Sequence, residues 1–301
     1  FRSRGRVVGS RRPSETNEDD LAELMVGREV QLVVDRGDSH PGEAALAVRD
    51  LRVLSDRGAE AVRNVSFEVR AGEILGIAGV AGNGQEELVE ALTGLRRPAS
   101  GAVMLAGHDV TGAGPRRLQA AGLSFVPGDR QRYGLVLGFT IEDNLVLTQY
   151  DESPYANGLR RNDAAIREWA DRAIQEYDIR TPSSTATAGT LSGGNQQKVV
   201  VAREFGRNLS ALVLDQPTRG LDVGSVEFIH RQVIRRRDSG AAVLLVSAEL
   251  DEVMELSDRI AVMYRGEVVA LLDARTADRE EVGLLMATGR QPGQATTVGA
   301  A

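Results

Sequence analysis

Eight consecutive residues, Leu191-Ser192-Gly193-Gly194-Asn195-Gln196-Gln197-Lys198, place a hydroxyl, two glycines and a run of amides at the head of a helical pattern. A serine followed by two glycines leaves a bare helix N-terminus with outward N–H groups. Such an end attracts anions, a γ-phosphate among them. An ordinary serine N-cap accounts for Ser192 but not for the whole octet. Ser192, Gly193, Gly194, Asn195 and Gln196 are therefore candidates for binding a nucleotide.

A second phosphate signal is damaged. Gly79-Val80-Ala81-Gly82-Asn83-Gly84-Gln85-Glu86 keeps the glycine spacing of G-x-x-x-x-G-K-[ST] and lies between a strand pattern and a helix pattern. Gly79, Gly82 and Gly84, with Asn83 among them, let the backbone curl so that several N–H groups point at a phosphate. The lysine that would reach the terminal phosphates is Gln85, a donor without charge. The hydroxyl that would hold Mg2+ is Glu86. Acids at a helix N-terminus are favoured by about 0.3–1 kcal/mol through the helix dipole. Glu86 and Glu87 would thus fill the anion position from within the protein and repel a nucleotide. A tight strand-to-helix turn with no ligand is the competing reading of this loop.

Leu212-Val213-Leu214-Asp215-Gln216 reads as a buried strand ending in a carboxylate, with Asp215 placed to hold Mg2+ directly or through water. A glutamate after it could accept a proton from attacking water; Gln216 has the same shape and cannot. Pro217-Thr218-Arg219-Gly220-Leu221-Asp222 follows as a sharp turn. At the end of the strand Ala241–Ser247, where a histidine would touch the γ-phosphate, stands Ala248. His40, His108 and His230 lie elsewhere and read as structural or solvent-facing.

The elements that must hold these residues alternate. Strand patterns cover Ala45–Leu54, Val62–Val69, Glu73–Ala78, Leu123–Val126, Ala211–Leu214, Ala241–Ser247, Ile260–Met263 and Val268–Leu272, with helical stretches between several of them. Strand–helix alternation predicts an α/β fold with a mostly parallel sheet. From Asp129 the texture turns helical, and Ile166, Trp169, Ala173 and Tyr177 form one apolar stripe that predicts a core-facing helix. Asp35-Arg36-Gly37-Asp38 and Pro41-Gly42 mark a linker, and Gln291–Ala301 reads as disordered.

Composition narrows the classes. The chain of 301 residues has no cysteine, which excludes a disulfide scaffold, a thiolate metal site and cysteine catalysis. A net charge of −7 argues against a nucleic-acid partner bound by bulk electrostatics. Of its 36 basic residues only Lys198 is lysine, so no function can call on a lysine elsewhere in the chain.

A repeat links the two ends. Arg4-Gly5-Arg6-Val7-Val8 matches Arg265-Gly266-Glu267-Val268-Val269, and at the same offset Asp19-Asp20 faces Glu280-Glu281 and Leu24-Met25 matches Leu285-Met286. Both copies read as a tight Arg-Gly strand turn followed by a helix that starts on acids. With Phe at position 1, this predicts a fragment of a protein with two homologous units about 260 residues apart.

In order, these elements resemble the ATP-binding cassette of ABC transporters, over Ala45 to about Thr288. The octet and Pro217-Thr218-Arg219-Gly220-Leu221-Asp222-Val223-Gly224 resemble in particular the second cassette of double-cassette sugar and nucleoside importers. Gly82-Asn83-Gly84-Gln85, Asp215-Gln216-Pro217 and Glu227-Phe228-Ile229-His230-Arg231 tilt toward the nucleoside branch. The resemblance implies a P-loop NTPase cassette with an antiparallel β subdomain and a helical insertion at about 129–206. It divides the chain into a stub of a preceding cassette (1–28), a linker (29–44), the cassette (45–288) and a tail (289–301). It implies ATP and Mg2+ as ligands, and Asp215, Gln216, Asp222 and Ala248 as the catalytic positions. The implied partners are the first cassette, transmembrane permease subunits and, indirectly, a substrate-binding lipoprotein or periplasmic protein, at the cytoplasmic face of the membrane. Gly128, where the family usually carries glutamate or glutamine, and the lack of an aromatic near Val53-Leu54 depart from the pattern.

Overall fold

The computed structural model describes residues 36–290 together with the two short strands β1 (Arg2–Ser3) and β2 (Arg6–Val7). The rest of the expected stub, the linker up to residue 35 and the tail from 291 lie outside the described residues. The chain divides into two compact units.

The larger unit takes in 37–126, 208–216 and 235–290. It contains an antiparallel sheet of β3 (Ala44–Leu54), β4 (Glu60–Arg70), β6 (Ser100–Leu105) and β7 (His108–Asp109), ordered β4-β3-β6-β7. Its second sheet holds β5 (Ile74–Ala78), β8 (Leu123–Val126), β11 (Ala211–Asp215), β12 (Ala242–Ser247), β13 (Arg259–Tyr264) and β14 (Glu267–Asp273). The order is β14-β13-β5-β12-β11-β8; every neighbour pair is parallel except β13–β14. The α/β expectation and its mostly parallel sheet hold. β6 and β7 are short, with Gly101 inside β6 and Gly107 in the turn between them, so no alternating apolar pattern marks them in the sequence.

The pleat sorts each strand's apolar side chains to two faces. Leu75, Ile77, Val213, Leu244 and Met263 join one core with Leu46, Val48, Val62 and Phe67 of the antiparallel sheet and with Leu88 of α1 (Gln85–Leu92). On the other face Ala78, Ile260 and Val262 meet Val253 of α7 (Leu250–Leu256) and Val282, Leu285 and Met286 of α8 (Arg279–Thr288). Gly76 permits that contact, because a Cβ there would lie 2.1 Å from Ser257 Oγ. A buried charge cluster closes the lower rim: Arg237, 1% exposed, contacts Asp258 at 3.3 Å, and Asp258 accepts the Ile74 N–H at 2.8 Å. The start of β5 is thereby fixed, and with it the loop that β5 delivers.

The smaller unit comprises 127–207 and 217–234. Its helices are α3 (Ile141–Leu145), α4 (Asp163–Glu176), α5 (Gly193–Phe205) and most of α6 (Val223–Asp238). The stripe on α4 is core: Ile166, Ala173 and Tyr177 are buried, and Tyr177 meets the Phe228 ring edge-on at 6.4 Å. Gly206 leaves room for Trp169, whose ring would lie 2.6 Å from a Cβ at that position. The helical texture from Asp129 was legible. The membership of 217–234 was not, since it rests on long-range bonds such as Gln197 Nε2 to the Pro217 carbonyl at 2.8 Å.

Candidate functional site

The candidate residues fall into two groups, one in each unit. In the larger unit, β5, β11 and β12 end side by side: Ser247 pairs with Ala78, and Asp215 with Val246. Ligands of open parallel sheets sit beyond such carboxyl ends. Gly79 is buried, and a Cβ on it would meet Gln85 Nε2 at 2.3 Å and the Met263 carbonyl at 2.8 Å. Gly82 and Gly84 adopt left-handed backbones, φ +89° and +99°, which only glycine takes up at little cost. The Asn83 side-chain oxygen accepts the Arg265 N–H at 2.9 Å, and its carbonyl accepts the Gly266 N–H at 2.9 Å. The β13–β14 turn therefore braces the loop.

Gln85 stands where a cation would reach forward, and its amide folds back to donate to the Val80 carbonyl at 3.1 Å. Gly84 is the cap residue of α1 and has no side chain with which to satisfy the first-turn N–H groups. The first turn carries the exposed Glu86 and the half-buried Glu87. The loop thus keeps the curl of a phosphate cradle, but its electrostatics are those of an acidic helix head. Gly84→Ala is expected to be costly: the new Cβ would sit 2.1 Å from the Ala61 carbonyl, on a backbone at φ +99°. We expect a loss of at least about 2 kcal/mol in denaturant unfolding, since both backbone strain and a clash with main chain oppose it.

Asp215 is half-buried at the end of β11. Gln216 follows in a left-handed conformation, φ +46°, with its N–H on the Val246 carbonyl at 2.8 Å. An outlier of this kind at a strand end is the sort of strain that collects at functional positions. Ala248 is exposed just past β12, beside Ser247, whose Oγ accepts the Glu249 N–H at 3.1 Å. Among the described residues no three acids or histidines converge to hold a metal. Mg2+ is commonly held by one or two carboxylates plus phosphate oxygens and water, and a carboxylate such as Asp215 at the carboxyl end of a central parallel strand fits that chemistry.

In the smaller unit, Ser192 is the exposed N-cap of α5 and makes no capping bond with its side chain. Asn195 Nδ2 donates to Ser192 Oγ at 2.9 Å. A Cβ on Gly193 would meet the Arg130 guanidinium at 2.6 Å, and one on Gly194 would meet Ser225 Oγ at 2.3 Å and Asp222 Oδ2 at 3.0 Å. Asp222 caps α6, accepting the Ser225 N–H at 3.0 Å and its hydroxyl at 2.8 Å. The two glycines therefore let the head of α5 lie against a guanidinium on one side and the Asp222 turn on the other. Gln196 is placed differently: it is buried, donates to the Ala188 carbonyl at 3.4 Å and accepts from Gln131 Nε2 at 3.1 Å, which braces the helix from inside. Arg130 and Ser225 were not singled out from the sequence. Asp222-x-x-Ser225 is a readable cap pattern, whereas nothing in the spacing joins Arg130 to Gly193.

A family model described as "ABC transporter" matches residues 62–219. The chain is 47% identical over 277 residues to the guanosine import ATP-binding protein NupO of Bacillus subtilis, covering 92% of this chain and 54% of that protein. The nucleoside import ATP-binding protein NupA of Lactococcus lactis is 41% identical (95% and 56% covered), and the glucose import ATP-binding protein TsgD13 of Haloferax volcanii 44% (95% and 52%). The chain thus spans about half the length of the curated relatives it matches. Among solved structures, a nucleotide-free ATP-binding cassette from an ABC transporter superposes with a TM-score of 0.67 at 23% identity, over 81% of this chain and 96% of that one. The fold is the cassette fold.

Proposed function

The chain belongs to the ABC transporter family, and from that premise we propose that it is one ATP-binding half of an importer for nucleosides. Its own Gly-rich loop is degenerate, and its Ser192 helix end completes the active site of a partner cassette. The observation that carries this reading is the contrast between the two groups. The head of α5 presents the exposed Ser192 and two glycines with a guanidinium alongside. The loop before α1 instead has Gln85 turned back onto Val80, and Gln216 follows β11 where a base would be needed.

The division of labour follows from the chemistry. Ser192 and the α5 amides donate to a γ-phosphate held by the Gly-rich loop of the other cassette, where the positive end of the helix adds to the attraction. At the chain's own loop, Asp215 would hold Mg2+, which neutralises phosphate charge when bound. Gln216 can orient a water through its amide but cannot take its proton, and loss of a general base typically costs 10²–10⁴-fold. That site binds nucleotide weakly or statically.

A second-cassette position is supported by the hairpins. β1 and β2 pair Ser3 with Arg6 and Arg2 with Val7, and β13 and β14 pair Tyr264 with Glu267 and Met263 with Val268. Residues at the same sequence offset thus pair in the same register, as the corresponding ends of two repeated units would. The working partners are the first cassette, permease subunits and a substrate-binding protein. The cytoplasmic membrane face is the expected location; among the described residues no helix is long and apolar enough to cross a membrane. Nucleosides are preferred over monosaccharides on the likeness to NupO, at 47% identity against 44% for the glucose import protein TsgD13.

The test is Mg-ATP hydrolysis by the chain alone and mixed with the first cassette. Silence alone and turnover in the mixture are expected, while rapid turnover by the chain alone would overturn the assignment. Silence in both would favour the second reading, a non-catalytic cassette that only scaffolds the transporter. The ligand that copurifies with the cognate binding protein decides between nucleoside and sugar.

A further inference from the structure

We propose that Asn195 is a positioning residue that makes Ser192 a one-way hydrogen-bond donor toward a bound phosphate, an inference that rests on reading the head of α5 as a phosphate site. A backbone N–H can only donate, and that of Arg180 meets Asn195 Oδ1 at 2.8 Å. This fixes which end of the amide is oxygen. The opposite end, Nδ2, then donates to Ser192 Oγ at 2.9 Å. A serine hydroxyl has one hydrogen and two lone pairs. With a lone pair engaged by a group that offers no acceptor, its hydrogen must point away from Asn195. Ser192 is exposed and makes no capping bond, so that hydrogen is available to an acceptor over the helix end.

The orientation is anchored in the interior. Lys198, 6% exposed, donates to the Asp178 carbonyl at 2.8 Å and to its carboxylate at 2.7 Å, and lies 4.5 Å over the Phe228 ring. Asp178 is left-handed, φ +47°, and turns the chain at the end of α4 so that the Arg180 N–H reaches Asn195. Arg130 against Gly193 supplies further donors and no acceptor. Ser192 O–H, the α5 amides and this guanidinium all favour an anion. Asn195 is the member that acts through another residue rather than on the ligand.

The experiment is ATP hydrolysis by the complete two-cassette protein carrying Ser192→Ala, Asn195→Asp, Asn195→Leu or the pairs with Ser192→Ala. Asn195→Asp keeps the acceptor for Arg180 but turns the donor into a carboxylate oxygen, to which Ser192 must now donate. We expect kcat/KM for ATP to fall roughly 10- to 100-fold in Asn195→Asp, as a hydrogen bond to a charged group implies. The neutral Asn195→Leu should lose several-fold. Neither loss should multiply with that of Ser192→Ala. An Asn195 that only supports the fold, or an aspartate that only repels phosphate, would lower activity equally in both serine and alanine backgrounds, and that outcome overturns the proposal. If Ser192→Ala itself matched the wild type, the phosphate-site reading would fail and the inference with it.

Discussion

The triple change Gln85→Lys, Glu86→Ser and Gln216→Glu should raise Mg-ATP hydrolysis at the chain's own Gly-rich loop by about 10²–10⁴-fold, measured as initial rates with the first cassette supplied and its own base removed. Each member addresses one defect. A lysine at 85 can follow the path of the glutamine over Gly79, which has no Cβ to block it, and brings the missing charge. Serine at 86 removes an exposed carboxylate from the helix head and supplies the hydroxyl for Mg2+. Glutamate at 216 inherits a left-handed backbone that glutamine already tolerates and a main-chain bond to Val246 that any residue except proline can make. The single Gln216→Glu should gain little, because a base without bound phosphate has nothing to act on. A triple variant no faster than the parent would mean that the loop is shut for reasons other than these three side chains.

Ser192→Arg is expected to lower turnover by the complete protein at least about 100-fold while leaving the fold intact. Removing one preorganised donor from a site of developing negative charge costs about 10²–10³, and the bulk of arginine adds obstruction across the interface. Ser192 is exposed and its side chain makes no capping bond, so no interior contact is lost. The informative comparison is the triple variant above. If Ser192 serves the partner's site, Ser192→Arg should silence that site and leave the restored one running. Equal loss at both sites would place Ser192 at neither specifically.

The fold was legible where burial is continuous or alternates cleanly. β11 and β12 are unbroken apolar runs because both of their faces are covered, and Leu123–Val126 was read with its observed bounds. The strand-to-helix turn at Gly79–Gly84 was visible because two of its glycines carry backbones that other residues avoid. What stayed hidden depends on partners distant in sequence. The inward role of Gln196 needs Gln131 and Ala188, and the fold-back of Gln85 needs a loop conformation that spacing does not encode. Ser192 to Asn195 could be named from the octet alone, but the direction of the hydroxyl required the amide of Arg180.

The clasp around Lys198 has a practical corollary. The chain carries a single side-chain amine, and it is sealed against Phe228 and tied to Asp178. Amine-acylating reagents can modify that nitrogen only when the clasp comes apart, and local opening of this kind has its own free energy, separate from global unfolding. Acylation at this one position would therefore clock how often the base of α5 loosens. The chain carries a built-in stopwatch for α5, with no competing lysine to subtract.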